Sequence, residues 1–402
     1  MFAQVLFPAL AVLSVATAQT PSACSEPTVT VNSQADVAQY TDCSTLSGSL
    51  VISSAASGTI DISGIEEIKG NLSSENAGNL VSLSSSSLTS IGGQFNLFNL
   101  TLLSTLQFNK LTSVKTISWI ALPALPALTF GGPVSEADSV TISNTFLSTL
   151  SGINLNTVGV LQIDNNNNLK QFDTQIANIT DHLDINANGN QLAVTFPNLI
   201  WAANLTFRNV SSVKFPSLAT VNGSLGLYGN YMQNISAPNL TSIGNFATGS
   251  GSLAIVANGK LANITFPVLK TVGGANQIAN NTALNAISFP SLTSVGGAID
   301  CSGNFTTPEF PKLENVKGGF NIQSQQAIDC DGFESLSGGK GSVIQGTFIC
   351  KTTATTSTLD GSDSSTSSGS SSTKTKNAAA SYGVGEAVAG LSVIGGLLQM
   401  LL

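Results

Sequence analysis

The chain's one histidine, His182, stands in the run Asp181-His182-Leu183-Asp184. An imidazole steadied by a carboxylate is a common acid/base device. Strand alternation argues against it here. His182, next to an inward Leu183, should face solvent, and its neighbour Asp181 should fall on the opposite face. Carboxylates are stronger candidates for chemistry. Asp164, Asp184 and Asp300 lie within or just after alternating apolar stretches, where stacking could align an acid pair. Glycoside hydrolysis needs two such groups about 5–9.5 Å apart. Asp184 and Asp300 fall several repeats apart, too far at about 4.8 Å per rung, so solvated, outward acids are expected. Glu66-Glu67 reads as a surface pair in the same way. One histidine and scattered cysteines do not make a zinc site of the usual kind. Gly338-Gly339-Lys340-Gly341-Ser342 has the wrong spacing for a phosphate loop and reads as a turn. No catalytic residue, metal or cofactor is therefore expected. Trp119, Trp201, Tyr228 and Tyr231 could stack on sugar rings, though packing between neighbouring turns is the simpler reading.

The elements that would hold these residues come from a repeat. Phe215-Pro216-Ser217-Leu218-Ala219-Thr220-Val221 returns as Ala237-Pro238-Asn239-Leu240-Thr241-Ser242-Ile243, then from Phe266, Phe289 and Phe310. Successive prolines are 22, 29, 23 and 21 residues apart, which is a solenoid period. Weaker copies stand at Leu88-Thr89-Ser90-Ile91-Gly92-Gly93, Leu111-Thr112-Ser113-Val114 and Phe196-Pro197-Asn198-Leu199. After each phrase comes a short alternating stretch ending in Asn, as in Leu225-Gly226-Leu227-Tyr228-Gly229-Asn230 and Leu183-Asp184-Ile185-Asn186-Ala187-Asn188. Alternation predicts one strand per turn with Leu and Ile inward. The terminal Asn should turn in, stack on its equivalents and bond backbone exposed by the bend. Each turn buries about four large apolar side chains at ~1.5–3 kcal/mol apiece, and only stacked turns share a continuous core. The stretch from Cys24 to Cys350 has room for on the order of fourteen turns.

Composition fits this. Of 402 residues, 42% are hydrophobic and only 9% charged, with a net charge of −8. About 25% charged is ordinary. A basic nucleic-acid footprint is excluded. Sugar is the first candidate for hydrating so uncharged a surface. Residues 1–18 end an apolar run on Ala16-Thr17-Ala18 and read as a signal peptide. Residues 351–376 form a Ser/Thr-rich stalk. Residues 377–402 combine small residues, a spacer and a 16-residue apolar tail, which matches a GPI-attachment signal with Asn377 as the attachment residue. Sequons for N-glycosylation fall at Asn71, Asn99, Asn178, Asn204, Asn209, Asn222, Asn234, Asn239, Asn263, Asn280 and Asn304. Asn304 should occupy an inward ladder place and be poorly used. In an oxidising compartment Cys24 and Cys43 should pair at the first turn and Cys330 and Cys350 at the last, each stabilising by roughly 3 kcal/mol. Cys301 would then be a buried thiol. Pairing of Cys301 with Cys330 is the open alternative.

The Leu-x-Leu-x-x-Asn strands, the Leu-x-x-Val/Ile-x-Gly phrase and the opening Cys43-Ser-Thr-Leu-Ser-Gly-Ser-Leu-Val-Ile52 resemble the receptor L-domain. Joined to a leader, a stalk and a GPI signal, the chain resembles the fungal GPI-anchored cell-wall organisation family, which includes sporulation-specific wall proteins. The resemblance implies a mostly β, leucine-rich-like right-handed β-solenoid, as one continuous rod or as two stacked L-domains spanning 19–135 and 136–350. It implies a non-enzymatic surface glycoprotein needed for wall integrity, held to the membrane by a lipid, with wall glucan or other wall polymers as partners and no nucleic acid. A ligand-binding receptor-like ectodomain and a glycan-remodelling enzyme are the competing readings.

Overall fold

The fold is described by a computed structural model over residues 22–189, 192–338 and 341–353. The leader, Asn377 and nearly all of the stalk lie outside the described residues. Among the described residues helix is confined to single short turns at Ser22–Ser25, Gln34–Val37 and Asp331–Glu334, and none is long and apolar enough to cross a membrane.

Everything else coils as a parallel β-solenoid. Its main sheet has 22 strands, running from Thr28–Val31 to Phe348–Lys351. Each pairs in parallel with the strand one turn away, for example Leu205↔Leu225↔Leu253↔Asn276↔Ile299. The ladder runs unbroken past Gly131-Gly132-Pro133, since Thr116–Leu122 pairs with Ser139–Thr145. The opposite wall is made of shorter strands in separate groups: four strands from Ser57–Asp61 to Thr129–Phe130, three from Gln171–Asp173 to Ser212–Lys214, then two pairs.

Alternation does what the sequence implies. Leu183, Ile185, Leu205, Phe207, Leu225 and Leu227 are all buried, while Asp184 and Thr206 between them face out. The Phe of the repeated phrase points inward and stacks across rungs. Phe266 and Phe289 lie 6.0 Å apart at 3° between planes, and Phe289 and Phe310 5.7 Å apart at 9°.

Ten of the main-sheet strands end in a left-handed corner. Asn76, Asn99, Ala121, Asn144, Asn165, Ala187, Asn209, Gly229, Ala257 and Asn280 all have φ between 53° and 58°. A conformation costly for most L-residues is least so for Asn and Gly, and six of these ten corners are Asn and one is Gly. The corner throws the next side chain inward. There it becomes Ala77, Leu100 or Leu122 in the early turns and Asn166, Asn188, Asn230, Asn258 or Asn281 later, all buried. These asparagines satisfy the bend. Asn258 Nδ2 donates to Leu227 O at 2.9 Å and Asn258 Oδ1 accepts from Asn230 N at 2.9 Å. Asn281 repeats the pattern on Ile255 O and Asn258 N.

Asn304 departs from this rule. Counting from Cys301 puts it at the inward place, but the corner is missing. The strand runs on through Gly303, paired with Ser324, and Phe305 takes the buried position. Asn304 is half-buried and its Oδ1 accepts from Gln326 Nε2 at 2.7 Å. The ground for expecting a poorly used sequon there falls away.

Disulfides join Cys24 to Cys43 and Cys330 to Cys350, with Cα separations of 5.5 and 5.8 Å. Cys301 is a buried free thiol in the inward column between Ile278 and Ile322.

Candidate functional site

The main sheet presents one broad outer face. Its middle is two columns of side chains in register. One column runs Ser73, Asn96, Ser118, Thr141, Gln162, Asp184, Thr206. The other runs Glu75, Phe98, Ile120, Ser143, Asp164, Asn186. Arg208 and Tyr228 continue it, because Phe207 pairs with Ile185 and Arg208 with Tyr228.

Charge gathers at one place on that face. Asp164 and Asp184 stand on adjacent rungs as diagonal neighbours, since Asp184 is opposite Gln162 and Asp164 opposite Asn186. Asp164 and Asp184 are two of the three acids that stacking could align, and the register between turns brings these two beside each other. Both Asp164 oxygens are engaged, one by the Ser143 hydroxyl and the other by Gln162 Nε2 at 3.1 Å. Asp184 is different. Its Oδ1 is buried without a hydrogen-bond partner among the described residues. Burial holds its carboxyl above the usual value; Arg208 opposes that shift and the Asp164 charge adds to it. The Arg208 guanidinium lies 4.5 Å from the centroid of the Tyr228 ring, a cation–π contact. Burial pushes the Tyr228 hydroxyl up, again opposed by Arg208.

His182 is outward, as alternation predicts, but Asp181 does not face the other way. A register shift between Ile179 and His182 leaves both on the outer side, Asp181 exposed and His182 half-buried, with Nδ1 of His182 3.4 Å from Asp181 Oδ1. Trp119 lies in the core, edge-on to Phe95 at 5.5 Å. Trp201 and Tyr228 are half-buried, and Tyr231 is exposed. Among the described residues no three His, Cys, Asp or Glu side chains gather as metal ligands would.

The sequons distribute by face. Asn71 and Asn204 mark a third column beside the two central ones, opposite Gln94 and His182. Asn99, Asn209 and Asn280 sit at left-handed corners. Asn234 and Asn263 pair across adjacent strands of the opposite wall. Neither central column carries a sequon. The corner positions had a sequence signal: an Asn one place before an inward residue at the end of an alternating stretch.

The chain is 41% identical over 358 residues to protein ecm33 of Aspergillus fumigatus, covering 88% of each. It is 39% identical over 325 residues to a cell surface GPI-anchored protein of Arthroderma benhamiae, covering 80% of this chain and 81% of the other. To the cell wall mannoprotein PST1 of Saccharomyces cerevisiae it is 34% identical over 329 residues, covering 81% and 72%. No family model matches the chain, and no solved structure matches it. With identities and coverage of this order, the solenoid described above belongs to the fungal family of GPI-anchored cell-surface and cell-wall proteins that includes ecm33 and PST1.

Proposed function

We propose that the chain organises the wall as a non-catalytic plate, touching wall polysaccharide, glucan foremost, through the outer face of the main sheet. One observation carries this. Each rung from Ser73 to Thr206 carries at least one hydroxyl or amide in the two central columns, while the sequons stand beside them, at the corners or on the opposite wall. A flat array of this kind can hydrogen-bond an extended, uncharged polymer without being screened by the protein's own sugars. Asp164 and Asp184 are diagonal neighbours, but they lie on an open sheet face, whereas glycoside hydrolysis needs a sugar held between two carboxyl groups.

In the same reading the two disulfides close the ends of the solenoid, the stretches 19–135 and 136–350 act as two L-domain halves, and the Ser/Thr tract holds them off a membrane anchored through Asn377. The test is incubation of the secreted chain with insoluble β-1,3-glucan and with chitin, measuring both retention and released reducing ends. Saturable retention on glucan without sugar release is expected. Lack of retention on either polymer overturns the polysaccharide reading. Sugar release that Asp184→Asn abolishes overturns the non-catalytic one.

A further inference from the structure

The wall opposite the main sheet opens into a groove of about 650 Å³ between Ser212–Lys214 and Asn234–Ser236. These strands lie on consecutive turns, yet ladder hydrogen bonding stops at the first and resumes between Asn234–Ser236 and Asn263–Thr265. Buried Val213 and Met232 line the groove, and Tyr231, 39% exposed, stands on its rim. Asn234 lies in the wall and begins the sequon Asn234-Ile235-Ser236. Its amide is oriented. Asn263 Nδ2, in register on the next rung, donates to Asn234 Oδ1 at 2.7 Å. That bond takes Oδ1 and leaves Asn234 Nδ2 outside it, on a residue that lines the groove.

We propose that Asn234 carries an N-linked oligosaccharide whose first amino sugar lies in this groove against the Tyr231 ring, bridging the break between the two strands. In forming the link, Asn234 Nδ2 bonds to the anomeric carbon of a lipid-pyrophosphate-linked oligosaccharide. The anomeric C–O bond breaks, the pyrophosphate leaves with its electron pair, and the amide gives up one proton. The remaining N–H keeps the linkage planar, and Oδ1 still accepts from Asn263. The apolar face of the sugar packs on the ring, one side of which has the Lys260 ammonium 5.7 Å from its centroid. Exposed Pro216 and Pro238, which line the groove with Tyr231, offer the apolar surface that makes it costly to leave to water.

The test is glycopeptide mapping of the full secreted chain from a eukaryotic host, followed by a thermal cycle on Asn234→Gln, Tyr231→Ala and the double variant. Asn234 is expected to be occupied. Asn234→Gln should lower the melting temperature by about 2 °C and speed deuterium exchange at 212–214, and in the Tyr231→Ala background it should do neither. Ser236→Ala, which removes the sequon but keeps Asn234, should match Asn234→Gln. Should the variants not be secreted, the wild-type protein gives the same answer. Trimming to the first sugar should leave the melting temperature unchanged, and full removal of the glycan should lower it. An unoccupied Asn234, or a loss that is the same with and without Tyr231, or no loss on full removal, overturns the proposal.

Discussion

Two buried asparagines on neighbouring turns have opposite roles. Asn258, fully buried, holds its own bend through Val256 O and that of the turn before it through Leu227 O and Asn230 N. Asn276, equally buried, interrupts an apolar column of Leu205, Leu225 and Leu253, and neither end of its amide has a partner among the described residues. Leaving a buried donor or acceptor unpaired costs about 1–3 kcal/mol, while replacing an unpaired polar group by an apolar one of similar shape is neutral or stabilising. Asn258→Leu should therefore lose about 2–4 kcal/mol in denaturant unfolding, whereas Asn276→Leu should raise the melting temperature. Asp184 adds a pH signature. Its folded pKa is raised above the ordinary 3.8, so folding binds its proton more readily than the unfolded chain does. The resulting stabilisation is present below that value and is lost as pH rises through the folded one. Asp184→Asn has no such loss. Thermal melts from about pH 3.5 to 6 should show the variant gaining on wild type as pH rises; parallel profiles would remove burial as the cause of the shift.

Corners govern the element scale. Where the repeated phrase ends in Gly-Gly, successive turns approach so closely that a Cβ on Gly296 would meet Gly273 O at 2.0 Å. Gly296→Ala should thus destabilise by more than the few tenths expected of a surface change, measured as a lower melting temperature, while Gly132→Ala, with nothing within 4 Å, should not. Much of this architecture could be read in advance. The Phe-Pro-x-Leu phrase and the Leu-x-Leu-x-x-Asn strand declare the period, the inward positions and the asparagine ladder, because each depends only on local alternation. What was not legible depends on register between turns. Asp164 and Asp184 are 20 residues apart in sequence and meet only because Asp184 aligns with Gln162. Asn304 was placed one residue wrong because a strand's extension through Gly303 is decided by its partner Ser324, not by its own run. The groove at Tyr231 arises from a break in pairing that no repeat phrase marks.

At the scale of the whole molecule, one core runs the length of the coil, so its two ends are where that core would meet water. The termini are covered by the short helical turns and stapled by Cys24–Cys43 and Cys330–Cys350. Burial pushes the Cys301 thiol well above its ordinary value, which keeps it protonated and unreactive. The native protein should yield no thiol to an alkylating reagent and one after denaturation without reductant; two or more would mean that an end is open. In the function proposed above, the sequon-free columns make the contact with the wall. The most direct measurement is retention on insoluble β-1,3-glucan of a chain carrying Thr141→Glu, Gln162→Glu and Thr206→Glu, beside a control carrying Thr59→Glu and Asn79→Glu on the opposite wall. Binding at least about tenfold weaker for the first, a loss of ~1.4 kcal/mol, with the control unchanged, is the predicted result. Equal retention of all three proteins, or equal weakening of both variants, would contradict the assignment of that face to the wall.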